Sequence, residues 1–301
     1  RRATDAAKKV LRYYVARWGC STSVAVWESF NEMDPGRPTG PFYDALGEHL
    51  ARIDPWGHLR GTSAWAPAPD DWTLASLDVA DLHFYVRPED EKRHANEVEA
   101  LLERARFLRR GAPGKPALLA EFGLADAKWG LRPEMAEDRD LIHFHGALWA
   151  SALSGLSGTA MSWWWEQLDR MQAYGRYRPL AAYLAEIPFG AVRLDPIDAS
   201  LEPSDLRVVG LRGEGRAHAW VQDPRSTWLG TGRRGAAAKE ISGASLEVRG
   251  LEAGSWRIRW WDTRSGTVVR EAAGTTGAGG SLRLEVPAFL RDVACTVLRE
   301  P

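Results

Sequence analysis

Apolar residues recur along the first two thirds of the chain in two alternating patterns. Between residues 4 and 18, Val10, Leu11, Tyr14, Val15 and Trp18 fall at helical spacing before Gly19, which predicts an amphipathic helix with a stop signal. "SVAVWESF" then reads as a buried strand, and "PFYDALGEHLARIDP" as a helix ended before Pro55. "LRGTSAW" and "VADLHFYV" predict two further strands. In "EVEALLERARFLRR", Val98, Leu101, Leu102, Ala105 and Leu108 share one helical face. "PALLAEFG" is another apolar strand, Pro133 is expected to open a long helix through Leu141, Phe144 and Leu148 to Gly155, and "GTAMSWWW" follows as a strand. "RPLAAYLAEI" is the last helix.

Strands apolar on both faces that alternate with helices point to a parallel sheet covered by helices. The five strands, near residues 24, 59, 79, 116 and 158, follow one another at roughly the ~31 residues per unit of an eight-unit barrel. The expected architecture is therefore an α/β chain holding five βα units of a (β/α)8 TIM barrel over residues 1–187. After Pro188 the pattern changes to short period-2 runs. "SWRIRWW" sets Trp256, Ile258 and Trp260 opposite Arg257 and Arg259, and "SLRLEVP" alternates Leu282, Leu284 and Val286 with Arg283 and Glu285. Residues 188–301 are expected to form a small antiparallel β-sandwich.

Composition narrows the partner. With a net charge of −1 and both signs mixed along the length, nothing suggests a nucleic acid or membrane surface held by bulk electrostatics. Cys20 and Cys295 match neither a disulfide framework nor a metal spacing. No charged-then-apolar signal segment opens the chain. The fifteen tryptophans suit flat, weakly polar ligands such as sugar rings, although most are expected in the core.

In a parallel barrel the reactive groups sit at the C-terminal ends of the strands. Glu32 closes "VAVWESFNE" and Glu121 closes "PALLAEF", about three units of ~31 residues apart, which places both at one rim. Two carboxylates across a cleft are what glycoside hydrolysis needs: one protonates the leaving oxygen, the other attacks or activates water. His83 and Tyr85 alternate on their strand, so both can donate to a carboxylate nucleophile and keep it ionised. Trp163 and Trp165 alternate likewise and offer a floor for a sugar. Glu28 shares the parity of Glu32 but lies ~13 Å deeper, as a buried structural acid. The glycines of residues 230–235 have the spacing of a dinucleotide loop but no βαβ unit around them, so they read as a surface loop. His143 and His145 stand two apart on a helix and make a poor metal pair; "GLSGT" is one residue short of a nucleophile elbow.

These residues carry a resemblance. "WESFNEMD", "DLHFYV", "LLAEFG" and "FHGALWASALSGLSGTAMSWWWEQLD" resemble strands four, six, seven and eight of glycoside hydrolase family 5 and related clan A enzymes, retaining β-glycosidases on a (β/α)8 barrel. Strands one to three have no recognisable counterpart. The resemblance implies Glu32 as general acid/base, Asn31 beside it for the 2-hydroxyl, and Glu121 as nucleophile with His83 and Tyr85 around it. Trp165, or else Trp163, would lie under the reactive sugar. It further implies double displacement on a β-glucan or β-mannan, an oligo- or polysaccharide partner, no cofactor, and a secreted or periplasmic location. The alternative reading is a catalytically inactive barrel that binds carbohydrate.

Overall fold

The computed structural model describes residues 2–34, 39–94 and 96–300. The chain divides into two compact units. One comprises residues up to Tyr85 with 104–122 and 156–161; the other comprises 86–103, 123–155 and 162 onward.

In the first unit, helix α1 (Arg2–Trp18) ends where the Gly19 N–H returns to the Val15 carbonyl at 3.0 Å. A Cβ on Gly19 would lie 2.7 Å from that carbonyl oxygen and 2.8 Å from the Trp56 ring, so only glycine fits this stop. Only part of the predicted apolar face is covered: Leu11 and Val15 are buried, whereas Val10, Tyr14 and Trp18 are exposed. Leu11 and Val15 cluster with Trp27 of β1 (Val26–Glu28) and with Leu46 and Leu50 of α2 (Gly40–Ile53). The Trp27 indole donates to Asp54 at 3.0 Å, and Asp54 also accepts from the ring of His58 at 2.9 Å, which ties β1 to the end of α2.

Strand β1 pairs in parallel with β2 (Leu59–Gly61), from Val26 opposite Leu59 to Glu28 opposite Gly61. Both are shorter than the sequence predicts. The short helix α3 (Pro69–Trp72) leads to β3 (Ala80–Val86), whose residues are nearly all buried, and α4 (Glu97–Gly111) leads on to β4 (Ala117–Leu124). The predicted α4 face is buried throughout. β3 and β4 form a second two-stranded sheet. Ala80 N–H bonds Pro116 at one end and Ala125 N–H bonds Val86 at the other, so the two strands run the same way. The expected strand near residue 158 is not regular. Its chain lies along β4 through three bonds, Ser157 to Ala117, Met161 to Leu119, and Phe122 to Met161.

In the second unit, the helix expected from Pro133 to Gly155 is divided. A 3-10 turn at Pro133–Glu137 is followed by Leu141 in a left-handed conformation (φ 52°) and by α5 (Ile142–Leu153). The break comes from Asp138, whose carboxylate accepts the N–H groups of Ile142 (2.9 Å) and His143 (3.1 Å) and so starts a new helix. α6 (Trp165–Arg170) and α7 (Tyr177–Leu184) follow.

The remaining strands are β5 (Asp195–Pro196), β6 (Ala199–Glu202), β7 (Arg207–Gly213), β8 (Arg216–Gln222), β9 (Ser245–Val248), β10 (Gly254–Asp262), β11 (Thr267–Thr276), β12 (Leu282–Glu285) and β13 (Asp292–Arg299). They form two sheets, ordered β11-β10-β13-β8-β7-β5 and β12-β9-β6, whose paired neighbours are antiparallel. Their inward residues share one apolar cluster, with Trp256, Ile258 and Trp260 from the larger sheet meeting Leu246, Leu282 and Leu284 from the smaller. The period-2 expectation holds from Trp256 to Trp260 and from Leu282 to Val286, whereas Trp261, of the arginine parity, is buried as well. Buried bonds from three helical side chains reach this part of the chain. The Tyr183 hydroxyl donates to the Cys295 carbonyl at 2.7 Å, the His145 ring meets Asp292 at 3.0 Å, and the Glu97 carboxylate accepts the N–H groups of Trp228 and Leu229. His143 turns instead to Asp138, so the two histidines serve different carboxylates. Among the described residues, no helix is long and apolar enough to cross a membrane.

Candidate active site

Four of the residues singled out from the sequence meet in the first unit. His83 Nδ1 lies 3.0 Å from Glu32 Oε1 and 3.2 Å from Glu121 Oε2, so one ring nitrogen faces both carboxylates. The Tyr85 hydroxyl donates to Glu121 Oε2 in a short bond. Oxygen atoms of Glu32 and Glu121, together with the His83 nitrogen, all fall within 4.8 Å of one another. Alternation along β3 explains the arrangement: Asp81, His83 and Tyr85 occupy every second position and project to one face.

The two carboxylates differ in setting. The Glu121 side chain is 8% exposed, that of Glu32 39%. Glu32 is held in a left-handed backbone conformation (φ 54°), a strained one for a residue other than glycine. Ser63 fixes it there. The Ser63 hydroxyl accepts the Glu32 N–H at 3.0 Å, the Ser63 carbonyl accepts the Met33 N–H at 3.0 Å, and the Ser63 N–H bonds Phe30. Asn31 is exposed in the same turn, beside Glu32.

Electrostatics follow from this packing. Burial pulls the His83 imidazole down, but its hydrogen bonds to Glu121 and Glu32, with the charges of Glu121 and Asp81, outweigh that and raise it to about 9. His83 is an imidazolium at neutral pH, and its Nδ1 is a donor. Tyr85 is raised well above its ordinary value by burial, by its bond to Glu121 and by the charges of Glu121 and Glu32, so it stays a neutral donor. Asp81 is raised to about 7, mainly by burial, with His83 opposing and Glu28 reinforcing.

The sequence misplaced Glu28 and missed Ser63 and Asp81. Glu28 is exposed rather than buried, because only the Trp27 side of β1 is packed, against α1 and α2. It accepts from the Ser63 hydroxyl at 2.6 Å and lies with Asp81 and His83 in a group whose ligand atoms are within 4.8 Å. Asp81 could have been found, since it repeats the His83 and Tyr85 parity; Ser63 could not, since its role is set by a turn. Trp163 and Trp165 do not alternate on a strand. Trp164 adopts φ 54° and α6 begins at Trp165, so the two indoles, in the other compact unit, pack edge-on with centroids 4.5 Å apart.

Both acid–histidine groups have the atoms to approach a cation.

Solved structures with a similar fold are glycoside hydrolases of clan A. A family 5 glycoside hydrolase from Bacteroides vulgatus aligns with TM-score 0.59 and 13% identity over 99% of this chain and 66% of its own. A family 30 endoxylanase from Clostridium papyrosolvens aligns with TM-score 0.55 and 14% identity over 97% of this chain and 70% of its own. A third structure, titled glycoside hydrolase, gives 0.60 and 14% over 99% and 69%. The chain thus spans about two thirds of the length of these neighbours, and at such identities the likeness is one of fold. No protein-family model matches the sequence, and no curated protein does.

Proposed function

We propose that this chain carries the active centre of a retaining β-glycosidase acting on a β-linked glycan. The observation that carries the reading is the approach of the Glu32 and Glu121 oxygens to within 4.8 Å around one histidine nitrogen. Retaining enzymes hold their carboxyl groups ~5–5.5 Å apart, whereas inverting ones leave ~6.5–9.5 Å for a water.

In this reading the carboxylate of Glu121, buried and bonded by Tyr85 and His83, attacks the anomeric carbon. Glu32, the more exposed acid, protonates the departing glycosidic oxygen. Its ionised form then takes a proton from the water that cleaves the glycosyl–Glu121 ester, which restores both groups. Asn31 is read as a partner of the sugar hydroxyls, and Trp163 and Trp165 as stacking surfaces. The barrel reading of residues 1–187, the sandwich reading of 188–301, and a packing role for the latter belong to the same proposal. The clan A neighbours support it.

Release of reducing ends from β-glucan and β-mannan tests it. Glu121→Gln is expected to lower turnover at least ~100-fold with the fold intact; Glu32→Gln is expected to cost ~10²–10⁴-fold on poor leaving groups and much less on an acidic phenol. Unchanged turnover in Glu121→Gln would refute the assignment. Binding of the polysaccharide with no reducing ends released would instead favour an inactive binding protein.

A further inference from the structure

A cavity of about 920 Å³ in the second unit is bordered by Arg176, by the β10–β11 turn and by the segment preceding β13. That is near the top of the ~300–1,000 Å³ usual for small-molecule sites. Four guanidinium groups, Arg176, Arg264, Arg270 and Arg291, line it, and Arg270 pairs with Glu285 at 2.8 Å. Acids line it as well, but most are engaged. Asp292 takes His145 and Thr263, Asp262 accepts the N–H groups of Arg264 and Ser265, and Asp140 pairs with Arg291 at 3.1 Å.

Arg176 and Arg264 have no carboxylate partner, and Glu240 and Asp262 no cationic one, among the described residues. Arg264 spends one Nη on the Asp140 carbonyl at 2.9 Å, and half-buried Arg176 has no ion pair among the described residues. Burial and the neighbouring charges of Arg176 and Arg291 all disfavour the Arg264 cation, with Asp292 and Asp140 opposing. An arriving anion would relieve that strain. Part of the lining is apolar and open, with Val269 54% and Leu290 58% exposed and Phe289 buried.

We propose that this cavity binds a carboxylate-bearing small molecule with a ring-sized body, the carboxylate seated in the fork of Arg176 and Arg264 and the body against Val269 and Leu290. A planar guanidinium matches a carboxylate through two parallel hydrogen bonds, and the apolar wall takes the C–H face of a ring. The site does not depend on catalysis at Glu32 and Glu121.

Calorimetric titration of the full chain with glucuronate, citrate and glucose tests it. Saturable binding of glucuronate without glucose supports the proposal and points to an acidic sugar; equal binding of citrate supports it and points to free carboxylates. Arg176→Gln, on an accessible turn, should weaken the anion at least fivefold, and Arg176→Lys should recover part of the loss. Binding of neither anion, binding of glucose as strong as that of glucuronate, or no effect of Arg176→Gln in a protein of unchanged circular dichroism would overturn it.

Discussion

Raising the pH from about 6 to about 10 should discharge His83 long after an ordinary histidine has lost its proton. The shift from ~6.5 to about 9 is ~2.5 units, and at ~1.36 kcal/mol per unit the site favours the imidazolium by ~3.4 kcal/mol. The Glu32 carboxylate is 39% exposed, so water screens part of this and about 2 kcal/mol remains as a contribution to stability. The folded value is raised, so that contribution is complete below pH ~6.5 and disappears as the pH climbs through about 9. The assay is an NMR titration of the His83 Cε1–H resonance, assigned by its loss in His83→Phe. The midpoint should lie near 9 in the wild type and fall in Glu121→Gln, which keeps an acceptor but removes the charge. A midpoint near ~6.5, or one that Glu121→Gln leaves in place, would show that the imidazole does not bridge the carboxylates.

Two further outcomes concern the second unit. Asp292 is pushed up by burial but pulled down further by His145 and by the bonds from His145 and Thr263, to about 2. Its contribution of about 2 kcal/mol should be present above pH ~4 and lost as the pH falls through about 2, so the denaturant midpoints of wild type and Asp292→Asn should converge in acid and separate near neutrality. Gly123→Ala would place a Cβ 2.4 Å from the Trp164 ring; the crowding should cost about 1–3 kcal/mol, read as a lower melting temperature, and an unchanged one would mean that the indole is free to shift.

The sequence was informative wherever a period decided the outcome. The α4 face, the inward residues of β10 and β12, and the common projection of His83 and Tyr85 all follow from local spacing of 3.6 or 2, which tertiary packing did not override. It failed where a single contact decided. The Asp138 cap divides a helix whose apolar pattern runs on unbroken, and the left-handed turn at Trp164 converts an expected strand into the start of α6. The partial cover of α1 and the exposure of Glu28 depend on what packs on each side, which periodicity does not carry. The candidate site was legible as four residues of suitable chemistry at suitable ends. Its support was not, because Ser63 acts through bonds to the Glu32 backbone and the Glu28 carboxylate that belong to a turn rather than to a motif.

The most direct test of the two-glutamate account is the anomeric configuration of the first product, followed by NMR as a β-linked oligosaccharide is hydrolysed. The spacing of Glu32 and Glu121 predicts that the β anomer appears first and mutarotates afterwards. Initial release of the α anomer would mean that water, and not Glu121, attacks the sugar, and would contradict the account.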